Sequence, residues 1–151
     1  MQKANQIQQD AEKVRKIGEV LQMAAKYKKL LNAQESIVGR LEEVYKELAR
    51  GNTGITSRLE GLSKVQEANR KALIELGAEL KRRADALPEE AATMKDDVAE
   101  FLSELKRLNI PDPMSATSEA ALQGKTTEAL SNAKLALTLM EQLIRKPNNG
   151  F

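Results

Sequence analysis

Apolar residues recur at intervals of three and four along almost the whole chain, which is the spacing of one face of an α-helix. In the first long segment, from about residue 4 to 50, the repeated apolar positions are Ile7, Val14, Ile17, Leu21, Ala24, Leu31, Val38, Leu41, Tyr45 and Leu48. A second stripe, through Leu30, Ile37, Leu41, Val44 and Leu48, widens the apolar face after Leu30. The pattern predicts a long amphipathic helix that meets more than one neighbour.

This segment could form one continuous helix or two helices separated near Asn32 and Gly39. Asn and Gly each cost about 1 kcal/mol or less inside a helix, so the sequence favours one helix or a mild kink. A clear end follows at Gly51-Asn52-Thr53-Gly54. A turn this short predicts that the next helix runs antiparallel to the first.

The next helix carries a heptad register, in which positions step by three and four from Leu59 to Leu87. Five leucines of this register form a candidate interaction seam: Leu59, Leu62, Leu73, Leu76 and Leu80. Gln66 and Asn69 occupy the same register and permit two interpretations. They could form a buried polar layer, or the stripe could rotate so that Val65, Ala68 and Ala72 face inward and the amides are partly hydrated. Because native amides are rarely fully buried, the sequence favours the rotated stripe.

Prolines divide the rest of the chain. Pro88 ends the second helix, and a third helix is predicted to run to about Leu108. Two prolines in the stretch from residue 109 to 113 predict a non-helical linker, after which Ser115 or Ser118 could cap a short helix that ends at Gln123. A turn at Gly124 and a last helix follow.

The predicted fold is all-α, in a single helical domain over residues 1–151. About residues 4–87 form a long antiparallel helical hairpin that resembles a coiled coil, in a helical bundle. About residues 88–146 form a smaller C-terminal unit of alanine-rich helices, and residues 147–151 form a tail.

One short segment resembles the turn and second helix of a tetratricopeptide unit. Gly124 is followed by Ala129 and Ala136, at the small-residue spacing of that family. Glu141 stands where the family has its closing proline, and a solenoid needs about three repeats for stability. The segment is therefore interpreted as an alanine-rich helical hairpin, and no family is assigned.

The chain has no His, no Cys and no Trp, and this composition excludes most catalytic and metal-binding chemistry. Carboxylate-bridged metal sites in helical bundles normally use Glu-x-x-His pairs, which cannot form here. Gly124-Lys125-Thr126 lacks the earlier glycine and the strand of a phosphate-binding loop. We therefore expect no enzyme activity, no cofactor and no metal.

The function predicted from the sequence is that of a scaffold that acts by helix–helix association. A two-helix hairpin cannot bury apolar stripes that widen in this way, so a homodimer that completes a four-helix bundle is expected; alternatively, the chain is a segment of a larger helical protein.

A competing hypothesis is a binder of nucleic acid or an anionic surface. Residues 1–87 hold 17 basic and 12 acidic side chains. The candidate basic patch consists of Lys26, Lys28, Lys29, Lys81, Arg82 and Arg83. Interleaved acidic residues favour a solvated face over a binding surface. No apolar run is long enough to span a membrane, and if Met1 is the natural start, the polar N-terminal sequence predicts a cytoplasmic protein.

Overall fold

The protein is an all-α helical bundle. The computed structural model describes residues 2–145, and describes side chains from residue 4 onward. The five helices are α1 (Gln2–Ala49), α2 (Thr56–Asp85), α3 (Ala92–Leu108), α4 (Pro111–Leu122) and α5 (Thr126–Arg145). A single 3-10 turn at Glu89–Ala91 precedes α3. Strands are absent from residues 2–145, as the sequence predicts.

Four helices enclose the core in a closed square. Helix α1 packs against α2 and α5, and α4 packs against the same two helices from the other side. Gln34 on α1 contacts Gln66 on α2 and Ala133 on α5. Lys26 also pairs with Glu79 on α2, and Tyr27 contacts Met140 on α5, so that α1 is antiparallel to both neighbours. Helix α3, which precedes α4 in the sequence, packs mainly on α2. Most of the broad apolar face of α1 after Leu30, which suggested a second copy, is thus covered by helices of the same chain, whereas Tyr45 and Leu48 are exposed.

Helix α1 is one continuous helix, which decides between the two interpretations of its sequence. Asn32 and Gly39 both lie inside it and both are exposed. Their cost is therefore limited to weak helix propensity, since neither residue buries an unpaired group. The helix ends at Ala49, beside the predicted stop, and Gly51 adopts a left-handed φ of 88° in the turn that follows.

The predicted linker at residues 109–113 is wrong. Helix α4 begins at Pro111, and both Pro111 and Pro113 lie in its first turn, where backbone N–H groups need no intrahelical partner. The break is confined to Asn109 and Ile110, and Asn109 has a left-handed φ of 47°. The predicted caps at Ser115 and Ser118 are also wrong, because both residues lie inside α4.

The core consists of two adjoining parts of different composition. One part holds the large side chains, and in it the Tyr27 and Phe101 rings meet edge to face with centroids 5.5 Å apart. The Tyr27 hydroxyl donates a hydrogen bond to the Met140 carbonyl at 2.7 Å, and burial raises the pKa of this phenol. The other part is rich in alanine, with Ala129 and Ala133 of α5 in the same cluster as Leu41 of α1. Small residues there allow α5 to approach α1 closely.

A buried amide layer crosses the core, so the rotated stripe favoured by the sequence is wrong. Gln66 is 0% exposed and Asn69 is 5% exposed, whereas Val65 is 41% exposed. Gln34 and Gln66 exchange two amide hydrogen bonds, at 2.9 and 2.8 Å. Asn69 donates to the Gln34 side-chain oxygen at 3.1 Å and to the Leu30 carbonyl at 3.2 Å. Burial is possible because these groups satisfy one another.

Candidate helix–helix interface

The N-terminal part of α1 projects beyond the bundle. Near the end of α2, Glu19 pairs with Arg83 at 2.8 Å, and Lys13 pairs with Glu90 at 2.9 Å in the turn after α2. Every residue from 4 to 12 is exposed. At 1.5 Å per residue this projecting part is about 14 Å long.

A stripe of apolar residues follows the outer side of α1 from the projecting part onto the bundle. Its members, which we call the outer seam, step by three and four along the helix: Ala4, Ile7, Ala11, Val14, Gly18, Leu21 and Ala25. Ile7 and Val14 are each 69% exposed and Leu21 is 47% exposed. The repeat ends where Lys28 takes the next position.

The outer seam faces away from the core. The core residues Val20, Met23 and Tyr27 each lie two positions after a seam residue, which is about 200° around the helix. In the part of α1 that carries both the outer seam and these core residues, the helix therefore has two opposed apolar faces. The predicted first stripe combined outer-seam residues with core residues further along α1, such as Leu31. It is wrong for Ile7 and Val14, because both are exposed.

The five leucines of the candidate interaction seam on α2 lie inside the chain's own bundle. Leu59, Leu62, Leu73, Leu76 and Leu80 are all buried. Leu59 and Leu62 belong to the alanine-rich part of the core, and the other three belong to the part with large side chains. They therefore join helices of this chain and are covered from solvent.

The candidate basic patch is partly neutralised by carboxylates. Glu79 pairs with Arg83 at 2.8 Å and with Lys26 at 3.5 Å, and Arg83 also pairs with Glu19. The hydrogen bond from Arg83 is the main cause that lowers the pKa of Glu79. Lys81 pairs with Asp85 at 3.4 Å.

The other three members of the patch are exposed. Lys28, Lys29 and Arg82 form no salt bridge with any residue in the described part of the chain. Lys28 and Lys29 follow the outer seam on α1, whereas Arg82 lies on α2. The structure therefore brings Lys26 and Arg83 together around a carboxylate and does not assemble all six cations into one uncompensated surface.

An open groove of about 690 Å³ lies between α2 and α3. Gly77, Ala84, Val98 and Leu102 supply its apolar lining, and exposed lysines and aspartates supply its charges. Among residues 2–145, no group of three or more acidic side chains is placed to hold a metal ion. None of the described helices has the length and apolar character needed to cross a membrane.

Comparison of the chain with protein-family models, with curated proteins and with solved structures finds no match. The fold defines a class, an all-α helical bundle, and the functional argument depends on the side chains of this chain alone. Sequence reasoning missed the small members of the outer seam, Ala4, Ala11, Gly18 and Ala25. Their signal is a small residue at every seventh position between larger apolar residues.

Proposed function

We propose that this protein is a non-enzymatic helical interaction module that acts by helix–helix association through the outer seam of α1. The observation that carries the proposal is the exposure of Ile7, Val14 and Leu21 at heptad spacing. A continuous apolar stripe on a surface helix is typical of a protein contact, whereas isolated exposed apolar residues need no explanation. Self-association to a homodimer is the form of contact that we propose first.

The projecting part of α1 gives the association a thermodynamic reason. Residues 4–12 are exposed on all sides, and a short helical end without tertiary packing is only marginally stable in water. A partner helix along the seam would remove Ile7 and Val14 from water, where full burial of such a side chain contributes about 1.5–3 kcal/mol. It would also support helical structure that the bundle does not cover.

The alternative function, binding of nucleic acid or an anionic surface, has less support. Lys26, Lys81 and Arg83 each pair with a carboxylate, so a phosphate would have to displace a partner that is already present. Electrostatic binding of that kind weakens steeply as salt rises. Association through an apolar seam predicts little dependence on salt.

The experiment is sedimentation equilibrium, supported by light scattering on a sizing column, over dilutions from about 1 mM to about 1 µM. The seam variant carries Ile7→Glu and Val14→Glu. The matched control carries Asn5→Glu and Gln9→Glu, which add the same charge at exposed positions on the opposite side of the N-terminal part of α1. Glutamate is a good helix former, so neither variant should unfold α1.

We expect the native chain and the control to associate as concentration rises, and the seam variant to remain a monomer. Equal association of all three proteins would show that the seam is not the contact. A native chain that is monomeric at every concentration would contradict self-association.

A further inference from the structure

The order of small and large residues along the outer seam indicates how closely a partner helix can approach. In heptad notation, one core position holds Ala4, Ala11, Gly18 and Ala25, and the other holds Ile7, Val14 and Leu21. A Cβ built on Gly18 would meet no atom within 4 Å. No neighbour in the described part of the chain therefore prevents alanine there, although glycine costs about 1 kcal/mol in a helix interior. A closely packed second helix would use the space.

The charged residues beside the seam distinguish the two possible directions of that helix. Asp10 immediately precedes Ala11 and lies along one edge of the seam, while Arg15 immediately follows Val14 and lies along the other. In a parallel coiled coil, the residue just before the first core position of a heptad, here the position of Ala11, faces the partner residue five places later. Asp10 would then face the partner's Arg15. In an antiparallel pair each edge meets its own copy, so Asp10 and Arg15 do not face each other.

The side chain of Asp10 is available for such a pair. It accepts a hydrogen bond from the Gln6 amide at 3.1 Å, and it forms no salt bridge with the described residues. Arg15 pairs with Glu12 and Glu19 on its own helix. Its side chain is about half exposed, and a guanidinium has five donors, enough to bind a further carboxylate.

From these features we infer that the occupant of the outer seam is a second copy of this chain, with the two α1 helices parallel and in register over residues 4–25. Two-fold symmetry then forms the Asp10–Arg15 pair twice. The inference rests on the proposed function and adds the identity, direction and register of the partner. Because the seam faces away from the core, each bundle lies on the outside of the pair.

Single cysteines test direction and register, since the native chain has no cysteine. Ala11→Cys, Val14→Cys and Ala25→Cys are made separately and oxidised under conditions in which the chain associates. In a parallel pair in register, every residue of the seam faces its own copy within reach of a disulfide. All three variants should form a covalent dimer, while Gln9→Cys on the opposite side of the helix should not.

An antiparallel pair gives a different result, because only one position can face its own copy in any single register. Covalent dimer from only one of the three variants would therefore overturn the inference. The absence of covalent dimer from all three, in variants that still associate, would overturn it as well. Both outcomes leave the proposed function intact. A native chain that does not associate would instead refute the proposed function and this inference together.

Charge exchange tests the pairing independently. Asp10→Arg alone and Arg15→Glu alone each place like charges opposite one another twice, and each should weaken self-association on the order of tenfold. A mixture of the two variants restores both opposite-charge pairs and should form a heterodimer of about native affinity, measured by sedimentation equilibrium with one variant labelled. A mixture that associates no better than the separate variants would overturn the inference. Circular dichroism of each variant verifies that α1 remains helical.

Discussion

Replacement of Gln34 by leucine is the most informative test of the buried amide layer. The Gln34 side chain donates to Gln66 and to the Ala133 carbonyl, and it accepts from Gln66 and Asn69. Among the described residues, Gln34 is the only hydrogen-bond partner of the side-chain oxygen and nitrogen of Gln66, and Gln34→Leu removes it. Asn69 keeps its hydrogen bond to the Leu30 carbonyl. Leucine has about the volume of glutamine, so the packing changes little.

The expected cost follows from the groups left without partners. Gln66 is fully buried, and each buried polar group that loses its partner costs about 1–3 kcal/mol. The apolar surface of the new leucine offsets about 1–2 kcal/mol of this loss. We expect Gln34→Leu to lower the free energy of unfolding by about 2–4 kcal/mol. Gln66→Leu should cost about 1 kcal/mol, because Gln34 keeps its bonds to Ala133 and Asn69.

The double variant, Gln34→Leu with Gln66→Leu, should be more stable than Gln34→Leu alone. In the single variant the Gln66 amide is buried without a partner, and the second substitution removes that amide. The coupling energy between the two sites should be about 1–3 kcal/mol. Urea unfolding followed by circular dichroism gives the free energies by linear extrapolation. Val65→Ala, on the exposed side of α2, is the control and should change stability little. Two equal single losses that add in the double variant would refute the reasoning, since they would mean that the amides are hydrated independently.

Three further changes test local features of the fold. Tyr27→Phe removes the hydrogen bond to the Met140 carbonyl and should cost about 1 kcal/mol at neutral pH in urea unfolding. Because burial raises the pKa of Tyr27, the native chain should lose stability relative to Tyr27→Phe as pH rises above the ordinary tyrosine pKa of about 10. Asn109→Ala should lower the free energy of unfolding by about 1–2 kcal/mol because φ is positive there, whereas Asn109→Gly should change it by less than about 0.5 kcal/mol; equal melting temperatures would contradict this. Arg83 lowers the pKa of Glu79, so the stabilisation that Glu79 provides is present above the ordinary carboxyl pKa and is lost as pH falls through its lowered value. Glu79→Gln should therefore show a smaller acid-induced loss of stability than the native chain in the same urea assay.

The sequence predicts local elements well where one physical effect dominates. Gly51 ends α1 because it adopts the left-handed conformation in the turn that follows the helix, and the α2 leucines are buried because apolar side chains at helical spacing pack together on one face. The prolines at 111 and 113 mislead because proline both breaks a helix interior and starts a new helix. Which role applies depends on Asn109, whose side chain tolerates the left-handed conformation that ends α3. A break of two residues is sufficient, so no extended linker is required.

The amide layer and the outer seam depend on contacts between distant segments, which local patterns do not contain. Gln66 can be buried only because Gln34, on another helix, supplies a matching amide, and burial statistics for single residues do not include such a partner. On α1, one apolar pattern arises from two opposed faces: Val20, Met23 and Tyr27 face the core, while Ile7, Val14 and Leu21 face solvent. The bundle is closed by α4 and α5, so self-association is not needed to bury the first face. The second face has no such covering in the described part of the chain, and for that reason association is better attributed to the outer seam of α1 than to the leucines of α2.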